Sequence, residues 1–433
     1  MTKVVVIGGG PGGRICSMAL AKLGAEVTLI EKKHLAGTCL NEGCMVTCAF
    51  NDVVKTLNEV KHLEDIGVLE SQEVKFNYKD ITNKIKETQE ILRKINHNDT
   101  VESGVEVIYG EARIEKGKHI FVGDDEYKYD KLVIATGSNP HIPDIKGVEH
   151  GITHRDILDL DELPEKLVVI GGGVIGCEIA NIFSALGSEV HLVSRNSLFK
   201  YLDEEIVEYI ETKLMKNIHI HKNTVAEEIT EDGVKTDNGF IEGLAFIATG
   251  REPNSKMFTG LVRVDDKGAI IVDEHMQTNN HKIYAVGDVV GGTLLTPVAR
   301  MEGTVAARNI MGIEVSVDYN DIPRSVSLNQ DVSLINTGNE DSESNVLKIG
   351  TPGIAGPGAF WHVLSGDTGI TKIKIQPETG ELYRVASVAP NSRLNMAYLG
   401  MLMRMGANYK DFEKFIEVHP STDAVSTLVK YVL

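Results

Sequence analysis

At 433 residues, with 42% hydrophobic and 24% charged side chains, the chain has the make-up of a globular protein, and single cores rarely grow past roughly 250–300 residues, so several domains are expected. A formal net charge of −18 argues against nucleic acid and membrane as partners, and no apolar run nears the roughly 18 residues of a membrane-spanning helix. Only five cysteines are present, too few for a disulfide scaffold, so a reducing, cytoplasmic setting is expected, where clustered thiols mean catalysis or metal binding.

The first strand-like run, Lys3–Ile7, leads into Gly8, Gly9, Gly10, Pro11, Gly12 and Gly13. A helical stretch and a second apolar run over 27–30 follow, ending in Glu31 and Lys32. Strand, G-x-G-x-x-G, helix, strand and acid make a dinucleotide-binding pattern. Gly8 permits the turn, Gly10 lets a pyrophosphate approach the backbone, and Gly13 lets helix and strand pack closely. The helix amino terminus would receive the phosphates, and Glu31 the ribose hydroxyls.

Next comes "GTCLNEGCMVTC", with Gly37, Thr38 and three of the five cysteines, Cys39, Cys44 and Cys48. Residues alone leave three readings: a redox pair, a zinc or iron site completed by His34, or thiols with only a structural role. The stretch 51–100 reads as polar helix. "GEARI" carries Ala112, and "LVIATG" ends in Thr136 and Gly137.

The glycine pattern then recurs. Gly171, Gly173 and Gly176 (with Ile175 between them) follow a strand over 167–170, and a second strand ends in Ser194 and Arg195. An acid there suits a ribose 2′-hydroxyl, whereas arginine pairs with a 2′-phosphate, so NADP is slightly favoured over NAD. "AFIATG" ends in Gly250, "AVGD" contains Gly287 and Asp288, and "LTPVAR" contains Leu295, Thr296 and Pro297. Doubled nucleotide motifs, with strands drawn from both ends, predict an insertion. The expected class is α/β, with two Rossmann-like domains, 1–148 with 250–318 and 149–249, plus an α+β domain over 319–433.

In this order the motifs resemble the FAD-dependent pyridine nucleotide–disulfide oxidoreductases, the family of dihydrolipoamide dehydrogenase and glutathione reductase. The resemblance implies FAD on the first fold, with Glu31 on its adenosine ribose and Asp288 near its ribityl chain. It implies NAD(P) on the second fold and a homodimer built through the third domain. Cys39 would exchange with a small disulfide or dithiol substrate, and Cys44 would lie against the flavin. In a regular helix, Cα atoms five apart are roughly 8–9 Å from one another, and a disulfide tolerates about 7 Å. The pair therefore requires a distorted turn, which Asn41 and Gly43 permit. A helix starting near Cys44 would favour its thiolate. A flavoprotein oxidase or quinone reductase that retains the cysteines is the alternative activity.

The sequence departs from the family twice. Where relatives carry a lysine that pairs with a glutamate of the second fingerprint, this chain has Cys48, so the matching Glu178 would lack its cation and have a raised pKa. Cys48 would be a small apolar filler or a third redox thiol. In "EVHPSTDAV", His419 matches the family's acid/base histidine, but the glutamate position is Ala424, with Asp423 one residue earlier.

Overall fold

The computed structural model describes residues 1–70, 74–115, 119–336, 346–423, 425 and 429–430; Ala424 lies outside them. The chain begins β1 (Lys3–Ile7), α1 (Pro11–Lys22), β2 (Glu26–Glu31), α2 (Gly37–Asn41), α3 (Cys44–Asp65), α4 (Tyr78–Glu102), β3 (Val105–Tyr109). An antiparallel ribbon follows, β4 (Ala112–Glu115), β5 (His119–Val122) and β6 (Asp125–Tyr127), then β7 (Lys131–Ile134) and β8 (Ser138–Pro140). A second series runs β9 (Lys166–Ile170), α5 (Val174–Leu186), β10 (Glu189–Ser194), α6 (Glu204–Tyr209), β11 (His219–Lys222), β12 (Ala226–Ile229), β13 (Gly233–Thr236), β14 (Gly239–Glu242) and β15 (Leu244–Ile247). The last series is β16 (Arg251–Pro253), β17 (Ile283–Ala285), α7 (Thr296–Ile310), β18 (Arg324–Ser327), β19 (Asp331–Asn336), β20 (Leu347–Pro352), β21 (Ile370–Ile375), β22 (Leu382–Ala389) and α8 (Ser392–Arg404).

Three sheets organise these elements. The first, β17-β7-β1-β2-β3, is parallel throughout. Its strands are covered on both faces, which is why they read as unbroken apolar runs. Val4, Val6, Leu29 and Val133 pack with Leu20 of α1 and Val305 of α7, while Val5, Ile7, Ile30 and Leu132 face Phe258 on the other side. The second sheet, β11-β10-β9-β15, is also parallel. β8 pairs antiparallel with β16 where the chain leaves the first sheet and returns to it.

The third sheet, β18-β19-β22-β21-β20, is antiparallel. Its first strands share a core with α3 and α5 through Phe50, Phe183, Val326, Leu334 and Val388. The helical pattern expected near 395–405 is α8, whereas the one near 409–416 is a tight 3-10 turn over Tyr409–Lys414. Among the described residues no helix is long and apolar enough to cross a membrane.

Candidate active site

Loop 8–13 joins β1 to α1. Gly8 holds φ +106°, and a Cβ there would run into the carbonyl of Ala135 beyond β7. A Cβ on Gly13 would strike the Gly8 carbonyl oxygen, but one on Gly10 would meet nothing within 4 Å. Open space therefore faces the amino terminus of α1, the geometry of a phosphate cradle. Gly37 closes one side, since its Cβ would lie 2.9 Å from the Gly10 Cα. Glu31, buried at the end of β2, accepts hydrogen bonds from the Gly9 and Lys33 amides, both 2.7 Å long. Lys32 beside it is exposed.

The other expected residues collect at the same edge. The Gly110 amide donates to the Glu31 carbonyl at 2.9 Å and so brings Ala112, buried at the start of β4, alongside. Thr136 donates its hydroxyl to the Asn254 carbonyl at 2.8 Å, just before Gly137. Ser138 donates to Asp288 at 2.6 Å, with the Arg251 guanidinium 3.5 Å from the same oxygen. The Gly287 amide donates to Glu302 at 2.6 Å. Burial pushes Glu302 up to about 7, against the opposing bonds from Gly287 and the Tyr319 hydroxyl. These groups gather at the carboxyl ends of β1, β2, β7 and β17, where open parallel sheets bind ligands.

Cys39 lies in α2 and Cys44 is the first residue of α3, and both carry free thiols. The break between the helices brings their sulfurs into hydrogen-bonding reach. It is held from outside: Asn41 donates to the Gly37 carbonyl at 2.8 Å and accepts from Arg93 at 2.7 Å. Gln89, also on α4, donates to the Leu40 and Asn41 carbonyls at 2.9 and 3.1 Å. Gly43 is needed for packing, because a Cβ would press within 3.2 Å of the Thr38 carbonyl oxygen. Helix α7 contributes Thr296, whose hydroxyl stands 4.0 Å from the Cys44 sulfur, with Leu295 and Pro297 flanking it. A Cβ on Gly303 of α7 would collide with the Gly12 carbonyl, so only glycine lets α7 approach α1 closely enough to deliver Thr296.

The two thiols share a proton. A bond from the Cys44 S–H pulls Cys39 down to about 6, against burial, with help from the Thr296 hydroxyl and the Arg300 charge. Cys44 is pushed up, first because its S–H serves Cys39. The backbone amide at the start of α3 does act to lower Cys44, as its position predicts, but the bond to Cys39 is the larger influence. Each sulfur thus sets the acidity of the other, and the first proton is lost by the pair.

Between the cysteines stands Glu42, a residue the sequence reading passed over. Arg155 reaches it at 2.8 Å and Lys33 at 3.4 Å, and the Arg155 guanidinium also bonds Asn139 at 2.8 Å. This ties the dithiol turn to the segment that enters the second sheet. Its only sequence signal was a charge inside the cysteine motif.

One helical turn beyond Cys44 lies Cys48, half-buried and raised by that burial; Glu178, on α5, also acts to raise it. Glu178 accepts from the Ser327 amide at 2.8 Å. Burial pushes its carboxyl up to about 7, against the Ser327 bond, while Cys44 adds to the rise and Arg393 opposes it. Among the described residues no cation pairs directly with it.

The second loop repeats the first. A Cβ on Gly171 (φ +130°) would run into the Ala248 carbonyl, one on Gly176 would strike Gly171, and one on Gly173 would meet nothing within 4 Å. The repeated Ile-Ala-Thr-Gly therefore supplies, in each sheet, the alanine carbonyl that backs the first glycine. Ile175 is half-buried in α5, Arg195 is exposed beyond β10, and Gly250 holds φ +123° after β15. His419 is not brought to the cysteines: it is exposed on the third domain, in a segment where Thr422 donates to the Pro357 carbonyl at 3.3 Å.

The family model described as pyridine nucleotide-disulphide oxidoreductase matches residues 2–303. An uncharacterised protein of Methanocaldococcus jannaschii is 31% identical, covering 97% of this chain and 96% of its own. The dihydrolipoyl dehydrogenase of Acholeplasma laidlawii is 32% identical over 72% of this chain and 96% of its own. That of Geobacillus stearothermophilus is 29% identical over 98% and 94%. Among solved structures, the Cu(II) complex of the HOCl-induced flavoprotein disulfide reductase RclA from Escherichia coli superposes with TM-score 0.86 and 25% identity, covering 98% of each chain.

Alkylation of Cys39 by iodoacetamide, followed by peptide mass spectrometry, should show a midpoint near pH 6, with reactivity gained above it. Cys44→Ala removes the bond that contributes most and should move that midpoint up by about 1 unit or more. An unmoved midpoint would contradict proton sharing.

Proposed function

The chain belongs to the pyridine nucleotide-disulphide oxidoreductases, and from that premise we propose that it moves two electrons between NAD(P)H and a small dithiol/disulfide through Cys39 and Cys44, as dihydrolipoamide dehydrogenase does. The observation that carries this reading is the pair of free thiols held at the α2–α3 break beside the loop 8–13 cradle. Family membership implies FAD and a pyridine nucleotide as cofactors. The residues fit FAD: the space at Gly10 admits a pyrophosphate, Glu31 suits the adenosine ribose, and Asp288 the ribityl chain. FAD, when bound, supplies hydride acceptance from the nicotinamide and delivery of two electrons to the cysteine pair. Gly171, Gly173 and Gly176 form the matching nicotinamide-dinucleotide cradle, and exposed Arg195 favours NADP. Domains 1–148 with 250–318, 149–249 and 319–433 are assigned to FAD, NAD(P) and dimerisation.

In disulfide reduction, the Cys39 thiolate attacks one substrate sulfur and the other leaves as thiolate. Cys44, losing its proton, then attacks the Cys39 sulfur, which closes the Cys39–Cys44 disulfide and frees the second substrate thiol. His419 of the partner subunit protonates the leaving thiolates. An apolar stripe along α8 and its C-cap supports the dimer. Leu394, Tyr398, Met401 and Met405 recur at helical spacing and are 59%, 75%, 60% and 71% exposed, which suits a face that a second copy covers. The enzyme would work in the cytoplasm.

Cys39→Ser should lower turnover of lipoamide or glutathione disulfide by about a thousandfold or more while NAD(P)H still reduces the flavin. Equal turnover would sink the dithiol role, and a wild type that passes electrons only to oxygen or quinone would establish the oxidase alternative. Replacing Tyr398 and Met401 by Glu should give a monomer in sedimentation that retains flavin reduction but loses disulfide turnover. His419→Ala should show the same loss as a dimer; full turnover in either variant contradicts action in trans.

Glu178 is neutral below about pH 7 and anionic above it. Carboxylate charge beside the transferred hydride opposes build-up of negative charge, so flavin reduction should slow as pH rises through about 7. Glu178→Gln should erase that inflection, and Cys48→Lys should shift it about 1 unit or more downward. A Cys48→Lys enzyme with the wild-type rate and profile rules this out.

A further inference from the structure

The second sheet carries a group of imidazoles that the redox reading does not use. β10 and β11 run parallel with His191 opposite His219 and Val193 opposite His221. Side chains two apart on a strand share a face, so Glu189 and His191 on one strand and His219 and His221 on the next form a patch. The His191 ring stacks on His219 and His221, with centroids 4.7 and 5.3 Å away. Donor atoms of Glu189, His191 and His219 all lie within 4.8 Å of one another. Glu189 and His219 are exposed, and β11 is the edge of its sheet.

We propose that Glu189, His191 and His219 form a site for a divalent transition-metal ion, with His221 orienting His191. Two imidazoles and a carboxylate are a ligand set that zinc accepts, leaving a fourth position for water. His191 Nε2 is already 3.1 Å from the Glu189 carboxylate, close to the spacing of two ligands on one ion. Its other nitrogen, Nδ1, is 3.0 Å from His221 Nε2. Metal-binding imidazoles are held by such a bond on their far nitrogen, which fixes tautomer and ring plane. The donor atom of exposed His219 lies within 4.8 Å of the other two. The nearby Lys166 ammonium, which would repel a cation, is bonded to Glu242 at 2.6 Å.

The patch lies toward the amino ends of strands whose carboxyl ends carry the 171–176 loop. His191 and Arg195 are four residues apart along the chain, about 13 Å at the rise of an extended strand. A bound ion would fasten the edge strand β11 to β10 without entering the nucleotide cradle. The proposal is independent of the dithiol chemistry.

The test is calorimetric titration of Zn²⁺ into the holoenzyme oxidised to its disulfide, so that Cys39 and Cys44 do not compete. One ion per chain should bind with a micromolar or tighter Kd. His191→Ala and His219→Ala should each weaken it about tenfold or more, and the pair should abolish it. The exposed substitution His219→Asn serves where the alanine variants misfold. With Cu²⁺, electron paramagnetic resonance should show nitrogen coupling that disappears in the double variant. No binding below millimolar Zn²⁺, or unchanged binding in the double variant, overturns the proposal.

Discussion

Two thiols five positions apart can share a proton only if the backbone between them leaves the helix, and much of the surrounding structure serves that break. A continuous helix from Gly37 onward would hold the sulfurs too far apart. The chain instead ends α2 at Asn41 and restarts at Cys44. The carbonyls and the asparagine exposed by this break are taken up by Gln89 and Arg93 of α4. Once the sulfurs meet, the amino ends of both α3 and α7 face the negative charge they share, and helix amino termini favour anions. That second helix reaches the site because glycines face each other where α1 and α7 cross. The helix break, the tertiary packing and the thiol acidity are thus one coupled arrangement.

The neighbouring carboxylate answers to a different balance. Glu178 has burial against it and one amide, from Ser327, in its favour. Arg393 acts on it from a distance, but its guanidinium is engaged by Asp331 at 3.0 Å, and Lys55 reaches the same aspartate at 2.8 Å. A cation already neutralised by a closer anion lowers a distant carboxyl only modestly. Burial therefore wins, and the missing lysine at position 48 is not replaced from the third domain. Cys48 itself is raised and half-buried, which suits a filler more than a reactive thiol.

Legibility in the sequence follows the range of the interactions involved. The glycine loops, the parallel strands and Glu31 were legible because each depends on neighbours within a few tens of residues. The requirement for a distorted turn at Asn41 and Gly43 was legible too, since it follows from helix geometry. The identity of the groups that hold the turn was not. Gln89 and Arg93 lie in a polar helix with no motif, and Arg155 sits in a linker. The coupling within the dithiol was not legible for a related reason. Dipole reasoning treats Cys44 alone, whereas the outcome depends on a second thiol and on Arg300 from α7. The histidine patch escaped because its members pair across strands, and a period-two pattern in β11 reads as an ordinary edge.

The two cradles share one loop geometry. Both use a glycine backed by an alanine carbonyl, an open second glycine and a third pressed onto the first. They differ at the end of the second strand. Glu31 is buried and committed to two backbone amides, which fixes its carboxylate in place. Arg195 is exposed, so a ligand meeting it would have to order its long side chain. Preorganisation lowers the ordering cost of binding and slows release. Two side chains at equivalent strand ends therefore differ in how much ordering a ligand would have to supply.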